Sequence, residues 1–227
     1  MSKVVRVSLL AILLIAVAAC AFAKPFIQPN DKVVFLGDSI TAQKLYTQYV
    51  QNFYTAYHPE WQVSFVNAGV GGDRSSAAVS RVQKDVIDQN PTVVTICFGM
   101  NDAAYRPTVD PAGLKTFSDG MKQIISMIRE KTKARIVLLT TTCCDDKVNK
   151  NLAGYNKTLE AFVDETKKIG EAEKLPVIDL HHPLLAQLEK GQAVNPAFTL
   201  IPDGVHPNEA GHTLMANTIL KAWGEKL

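Results

Sequence analysis

"VVFLGDSITAQ", Val33 to Gln43, runs four apolar residues into Gly-Asp-Ser and then turns polar. A short apolar run closed by glycine and followed by a helix-capping residue type marks a strand that feeds a helix. Runs of the same kind, short, apolar and rich in β-branched residues, recur at residues 62–67, 92–98, 135–140 and 176–180. Between them lie helical patterns at 44–57, 75–89, 111–131 and 152–173, with apolar residues three or four apart, such as Met121, Ile124, Ile125 and Ile128 on one face. A last helix is expected from Pro207, where a missing N–H is tolerated in the first turn, to about Trp223. Strict alternation of apolar strands with helices predicts an α/β fold, a parallel sheet covered on both faces, whose site lies at the carboxyl ends of the strands. No repeat, low-complexity tract or linker interrupts it, so one domain is expected.

The N-terminus has the form of an export signal. Lys3 and Arg6 precede an apolar run from Val7 to Ala19 that is short for a membrane span, and small residues follow before Lys24. Ala21-Phe22-Ala23 suits ordinary cleavage, giving a signal peptide at 1–23 and a domain at 24–227; Val17-Ala18-Ala19-Cys20 offers the alternative of a lipid anchor at Cys20. The first is favoured, because valine opens a lipobox less well than leucine. Either way the expected location is outside the cytoplasm, periplasmic or secreted. Cleavage removes two basic residues and no acid, so Lys+Arg becomes 24 less 2, or 22, against 22 Asp+Glu. A mature chain with no net charge argues against a nucleic-acid partner or a polybasic membrane patch. Cys97, Cys143 and Cys144 would remain. They fit buried free thiols or one cross-link from Cys97 to either of the adjacent pair, since neighbouring cysteines bridge each other only with strain. No cysteine or histidine spacing suggests structural zinc.

The junctions after the strands carry the chemistry. They read Gly37-Asp38-Ser39, then Asn67-Ala68-Gly69-Val70-Gly71-Gly72-Asp73-Arg74, then Gly99-Met100-Asn101-Asp102, and, before the last helix, Asp203-Gly204-Val205-His206-Pro207. Ser39 alone is as good a helix cap as a nucleophile. A serine hydroxyl attacks only when a histidine takes its proton, and that imidazole needs an acceptor to hold its tautomer. Asp203 and His206, three residues apart at a helix entrance, can supply that pair locally. The oxyanion of acyl transfer needs fixed donors, which the Gly72 N–H, the Asn101 amide and the Ser39 N–H can provide.

"GDSIT", "NAGVGGD", "GMND" and "DGVHP" together resemble, in order, the four sequence blocks of the SGNH hydrolases, also called the GDSL esterase/lipase family. The resemblance runs from about Val33 to Trp223. It implies a flavodoxin-like three-layer α/β/α sandwich with a five-stranded parallel sheet, and ester hydrolysis through an acyl-enzyme with no cofactor and no metal. By motif it implies Ser39 as nucleophile, His206 as general base and then acid, Asp203 as its orienting partner, and an oxyanion hole of Ser39, Gly72 and Asn101. Block two departs from the commoner Ser-Gly form; Gly72 is taken over Gly69 and Gly71 because it precedes the polar residue that opens the next helix. The G-x-S-x-G elbow of the α/β-hydrolases is absent.

Other polar residues read as structural. Asp102 is expected to cap. His181 and His182, with His206, Glu209 and His212, tempt a metal reading, but "HPNEAGH" lacks the H-E-x-x-H form. Arg74, Tyr105 and Arg106 read as solvated loop residues near the site. The function expected is an exported serine esterase acting on a small-acyl ester, above all O-acetyl on a carbohydrate or glycan. A lysophospholipase or thioesterase uses the same groups, and a glycan-binding protein without activity is the alternative from another class.

Overall fold

Five strands lie parallel in the order β2-β1-β3-β4-β5. They are β1 (Lys32–Gly37), β2 (Ser64–Gly69), β3 (Val93–Cys97), β4 (Arg135–Leu139) and β5 (Val177–Ile178). The structure is a computed structural model and describes residues 25–227; the export signal expected at 1–23 therefore lies outside the described residues. β3 is buried along its whole length and β1 at every residue but the first. That double-sided burial is why neither strand alternates polar with apolar. The helices are α1 (Ser39–Ala42), α2 (Leu45–Tyr57), α3 (Ser75–Ala78), α4 (Val82–Asp85), α5 (Pro111–Lys131), α6 (Tyr155–Glu173), α7 (His181–Val194) and α8 (Glu209–Ala222). α2 packs on α8, and α5 packs on both α3 and α6, giving a helical layer on each face. This is the three-layer α/β/α sandwich, with the flavodoxin-like strand order that reverses between β1 and β3.

The long, periodic elements fall where expected. α5 occupies 111–131 because Asp110 caps it, accepting the Ala112 N–H at 3.0 Å, and Pro111 needs no partner for a missing donor. Phe117, Met121, Ile124, Ile125 and Ile128 form its buried stripe. Elsewhere the structure corrects the reading. β2 starts two residues late because a 3-10 turn at Pro59–Trp61 and a left-handed Gln62 still turn the chain. The pattern at 75–89 is not one helix but α3, α4 and two 3-10 turns, with a break at Arg81, whose φ of −109° departs from helical geometry. β5 shrinks to two residues because the chain turns at once into α7, a helix the periodicity missed. α8 begins at Glu209 with Asn208 as its cap, so Pro207 stands outside it. Cys97, Cys143 and Cys144 are buried free thiols, and no cross-link joins them. Burial pushes the Cys144 thiol up to about 12.

The first described residues are tied down at the amino ends of the strands. The Phe26 N–H donates to the Trp223 carbonyl at 2.9 Å and the two rings stack at 5.9 Å. Arg135, at the start of β4, lies over the Phe26 ring and pairs with Asp31.

Gly120 lets α5 approach the segment that opens α3. A Cβ there would lie 2.7 Å from the Ser76 nitrogen and 2.8 Å from the Ser75 carbonyl carbon. Gly→Ala inside a helix ordinarily gains about 1 kcal/mol, but a clash with backbone cannot relax by a rotamer change and overpacking costs about 1–3 kcal/mol. Gly120→Ala should therefore lower the urea midpoint at unchanged slope. A raised midpoint would show that α3 yields.

Candidate active site

The chain leaves β1 at Gly37 and turns directly into α1. Asp38 caps that helix, its carboxylate accepting the Ile40 N–H at 3.0 Å. Ser39 is the first helical residue, where the backbone N–H has no intrahelical acceptor. The turn sits close on the sheet: a side chain at Gly69, the end of β2, would run into the Thr41–Ala42 backbone. Asn67 donates to the Thr41 carbonyl at 2.7 Å, and Thr41 meets the Tyr46 hydroxyl at 2.9 Å. At the helix end, His212 Nε2 donates to Gln43 Oε1 at 2.9 Å, while its ring stacks on Tyr46.

His206 reaches this turn from the far end of the sequence. Its Nε2 lies 2.8 Å from Ser39 Oγ, and its Nδ1 lies 2.6 Å from Asp203 Oδ2. The other Asp203 oxygen accepts the N–H groups of Val205 at 2.8 Å and His206 at 2.7 Å. Partial burial alone would raise the Asp203 carboxyl, but these bonds and the His206 charge hold it below the ordinary carboxylate range. An ionised Asp203 keeps the proton on Nδ1, which leaves the Nε2 lone pair facing the serine hydroxyl.

Two further junctions close on the same rim. Val70 to Asp73 form a turn in which the Asp73 N–H donates to the Val70 carbonyl at 3.3 Å, and Gly72 has the φ of +73° that its third position demands. Among the described residues the Gly72 N–H has no acceptor. Asn101, buried, donates from Nδ2 to the Asp73 carbonyl at 2.9 Å, which brings its amide beside the Asp73–Arg74 peptide, one residue beyond Gly72. Asp102 points elsewhere: it accepts from the Ser75 N–H and hydroxyl and from the Gly99 N–H, capping α3 and closing the turn after β3.

Sequence reasoning missed what ties these junctions together. Arg81 donates from Nε to Asp73 Oδ2 at 2.7 Å, and its two terminal nitrogens reach the carbonyls of Ala68 at 2.7 Å and Gly37 at 3.0 Å. One planar cation thus holds the ends of β1 and β2 and the glycine turn. Its only sequence signal is the helix break, invisible in a pattern that looks amphipathic. Tyr105 is an exposed loop residue, as expected, but its hydroxyl also donates to Asn101 Oδ1 at 2.7 Å. His181 and His182 lie apart from His206, beside Glu160, with Asp179 on His182. Among the described residues no group of three or more His, Cys, Asp or Glu is arranged to hold a metal ion.

Two buried groups around α1 titrate abnormally. Burial raises Asp38 to about 7, against the opposing bond from Ile40 and with help from the Asp102 charge. Burial lowers His212 to about 4. A raised Asp38 contributes stability that is present below its ordinary value of 3.8 and is lost as pH rises through about 7. A depressed His212 contributes stability that is present above its ordinary 6.5 and is lost as pH falls through about 4. His212→Phe keeps a ring against Tyr46 and removes only the second linkage. Its stability relative to the parent should rise as pH falls from about 6.5 to about 4, read from paired urea midpoints. A difference that stays constant over that interval would mean the imidazole is charged in the fold.

Comparison with known proteins identifies the family. The GDSL-like lipase/acylhydrolase family model matches residues 35–214. An acetylxylan esterase of Geobacillus stearothermophilus is 25% identical over 220 residues, covering 86% of this chain and 94% of that one. A solved gut microbial diltiazem-metabolizing enzyme superposes with a TM-score of 0.81 at 28% identity over 89% of this chain, which spans only 48% of that longer protein. A variant of an acetylxylan esterase from Geobacillus stearothermophilus gives a TM-score of 0.74 at 25% identity, over 89% of this chain and 98% of its own. With the family match extending over most of its length, the chain belongs to the GDSL-like lipase/acylhydrolase family and is a carboxylic ester hydrolase.

Proposed function

We propose that the protein is an exported serine esterase that removes small acyl groups, acetyl above all, from carbohydrate. The observation that carries the mechanism is the continuous hydrogen-bonded chain from Asp203 through His206 to Ser39. In the first half-reaction Ser39 Oγ attacks the ester carbonyl carbon as its proton passes to His206 Nε2. The charge that collects on the carbonyl oxygen is met by the N–H groups of Ser39, Gly72 and Asn101, donors already in place before the charge forms. His206, now an imidazolium steadied by Asp203, gives its proton to the leaving alcohol oxygen, and the acyl group stays on Ser39. Water then repeats the sequence, with His206 as base toward water and as acid toward Ser39.

The acetyl and carbohydrate assignment is supported by the acetylxylan esterase relative that this chain matches nearly end to end. Export is supported by the leader-like residues 1–23, with Lys3 and Arg6 before the apolar run. The remaining residues, 24–227, make up the catalytic domain of this reading.

Purified protein should hydrolyse p-nitrophenyl acetate and acetylated xylo-oligosaccharides, and Ser39→Ala should abolish both activities. Asn101→Ala should lower turnover by about 10²–10³-fold, the usual loss for one oxyanion donor. Equal activity in the parent and Ser39→Ala would end the serine mechanism. Preference for long-chain esters over acetyl would move the substrate class to lipids.

A further inference from the structure

Tyr105 stands on constrained backbone. Ala104 and Tyr105 both have φ of +57°, the left-handed region that residues with a side chain rarely enter and only when their surroundings compel it. What compels it here is visible. The Tyr105 ring stacks on Tyr155 with centroids 5.3 Å apart, and Tyr155 is itself buried with its hydroxyl donating to the Met100 carbonyl. The Ala104 N–H returns to the Asn101 carbonyl at 3.1 Å. The tight turn that results delivers the Tyr105 hydroxyl to Asn101 Oδ1 at 2.7 Å.

A primary amide offers one acceptor oxygen and two N–H donors. In Asn101 the oxygen is taken by Tyr105 and one N–H by the Asp73 carbonyl, and among the described residues the second N–H has no acceptor. Turning the amide over would set its oxygen against the Asp73 carbonyl, two acceptors face to face. The Asp73 carbonyl therefore selects which end faces it, and the phenol holds the other end. A donor on the amide oxygen also draws charge out of the group, so the N–H left over becomes the stronger donor.

We propose that Tyr105 is a positioning residue for Asn101, its phenol O–H fixing and polarising the amide so that the one unpaired N–H meets the developing oxyanion. This rests on the serine-esterase reading above. Although the residue is 41% exposed, partial burial and then the negative charges of Asp38 and Asp203 hold the phenol above its ordinary pKa, so it remains a donor through neutral pH.

The test is a double-mutant cycle on p-nitrophenyl acetate with Tyr105→Phe, Asn101→Ala and both together, each also followed by thermal unfolding. Phenylalanine keeps the stack on Tyr155 and removes only the hydroxyl. Tyr105→Phe should lower kcat by roughly tenfold, a part of what the whole donor supplies, while KM and the unfolding midpoint stay close to the parent's. In the Asn101→Ala background the same change should cost nothing more. If Asn101→Ala does not fold, Asn101→Ser takes its place in the cycle. The proposal is overturned if Tyr105→Phe keeps full kcat while Asn101→Ala is impaired, if the two losses multiply, or if the loss lies in KM alone. A full rate in Asn101→Ala would instead remove Asn101 from the oxyanion hole, a failure of the underlying reading that the cycle tells apart from a failure of Tyr105.

Discussion

At the rim of a parallel sheet a carbonyl oxygen keeps a second lone pair beyond its ladder bond, as Gly37 does while accepting the Val70 N–H at 3.1 Å, and a donor from elsewhere in the fold can fill it. Here Arg81 does it for two strands at once, reaching Gly37 on β1 and Ala68 on β2 with one guanidinium and anchoring the group on Asp73. The rest of the rim depends on that fork. Ser39 lies two residues beyond one of the clamped carbonyls, Gly72 lies next to the clamped carboxylate, and the Asp73 carbonyl passes the restraint on to Asn101 in the turn after β3. Lysine in place of Arg81 keeps the charge but lacks the geometry to bridge three acceptors.

Around that fixed rim the groups proposed to react divide into near and far. Asp203 and His206 meet within a single turn and bring their own backbone donors, so their mutual orientation needs little from the rest of the fold. With Asp203 more than half exposed, this pair contributes little to stability. Its value is orientation. The contact to Ser39, by contrast, spans 167 positions of sequence and exists only when β1 and the segment before α8 are both seated.

This division explains what was legible in the amino-acid sequence. β1, β3, β4 and α5 announce themselves through unbroken apolar runs or a clean 3.6 period, because burial acts on consecutive residues there. Ser39 and Asn101 stand out because a parallel sheet delivers whatever follows its strands to one edge, and Asp203 and His206 because an acid and a histidine three residues apart before a helix can pair locally. α7 was invisible because its apolar stripe is thin, essentially Leu184 and Leu188, and its start is crowded by His181, His182 and Pro183. Arg81 and Tyr105 were opaque for a different reason. An arginine in an amphipathic pattern and a tyrosine in a loop have the same local signature whether they face water or reach a carbonyl on another strand.

The stack of Phe26 on Trp223, with Arg135 over the ring, fixes where the polypeptide enters the domain. Arg135 begins β4, so this entry point is at the amino ends of the strands, while Ser39, Gly72 and Asn101 follow the carboxyl ends. Residue 25 therefore lies at the pole away from Ser39, so the contacts that seat Phe26 take no surface from the rim where the proposed chemistry is placed.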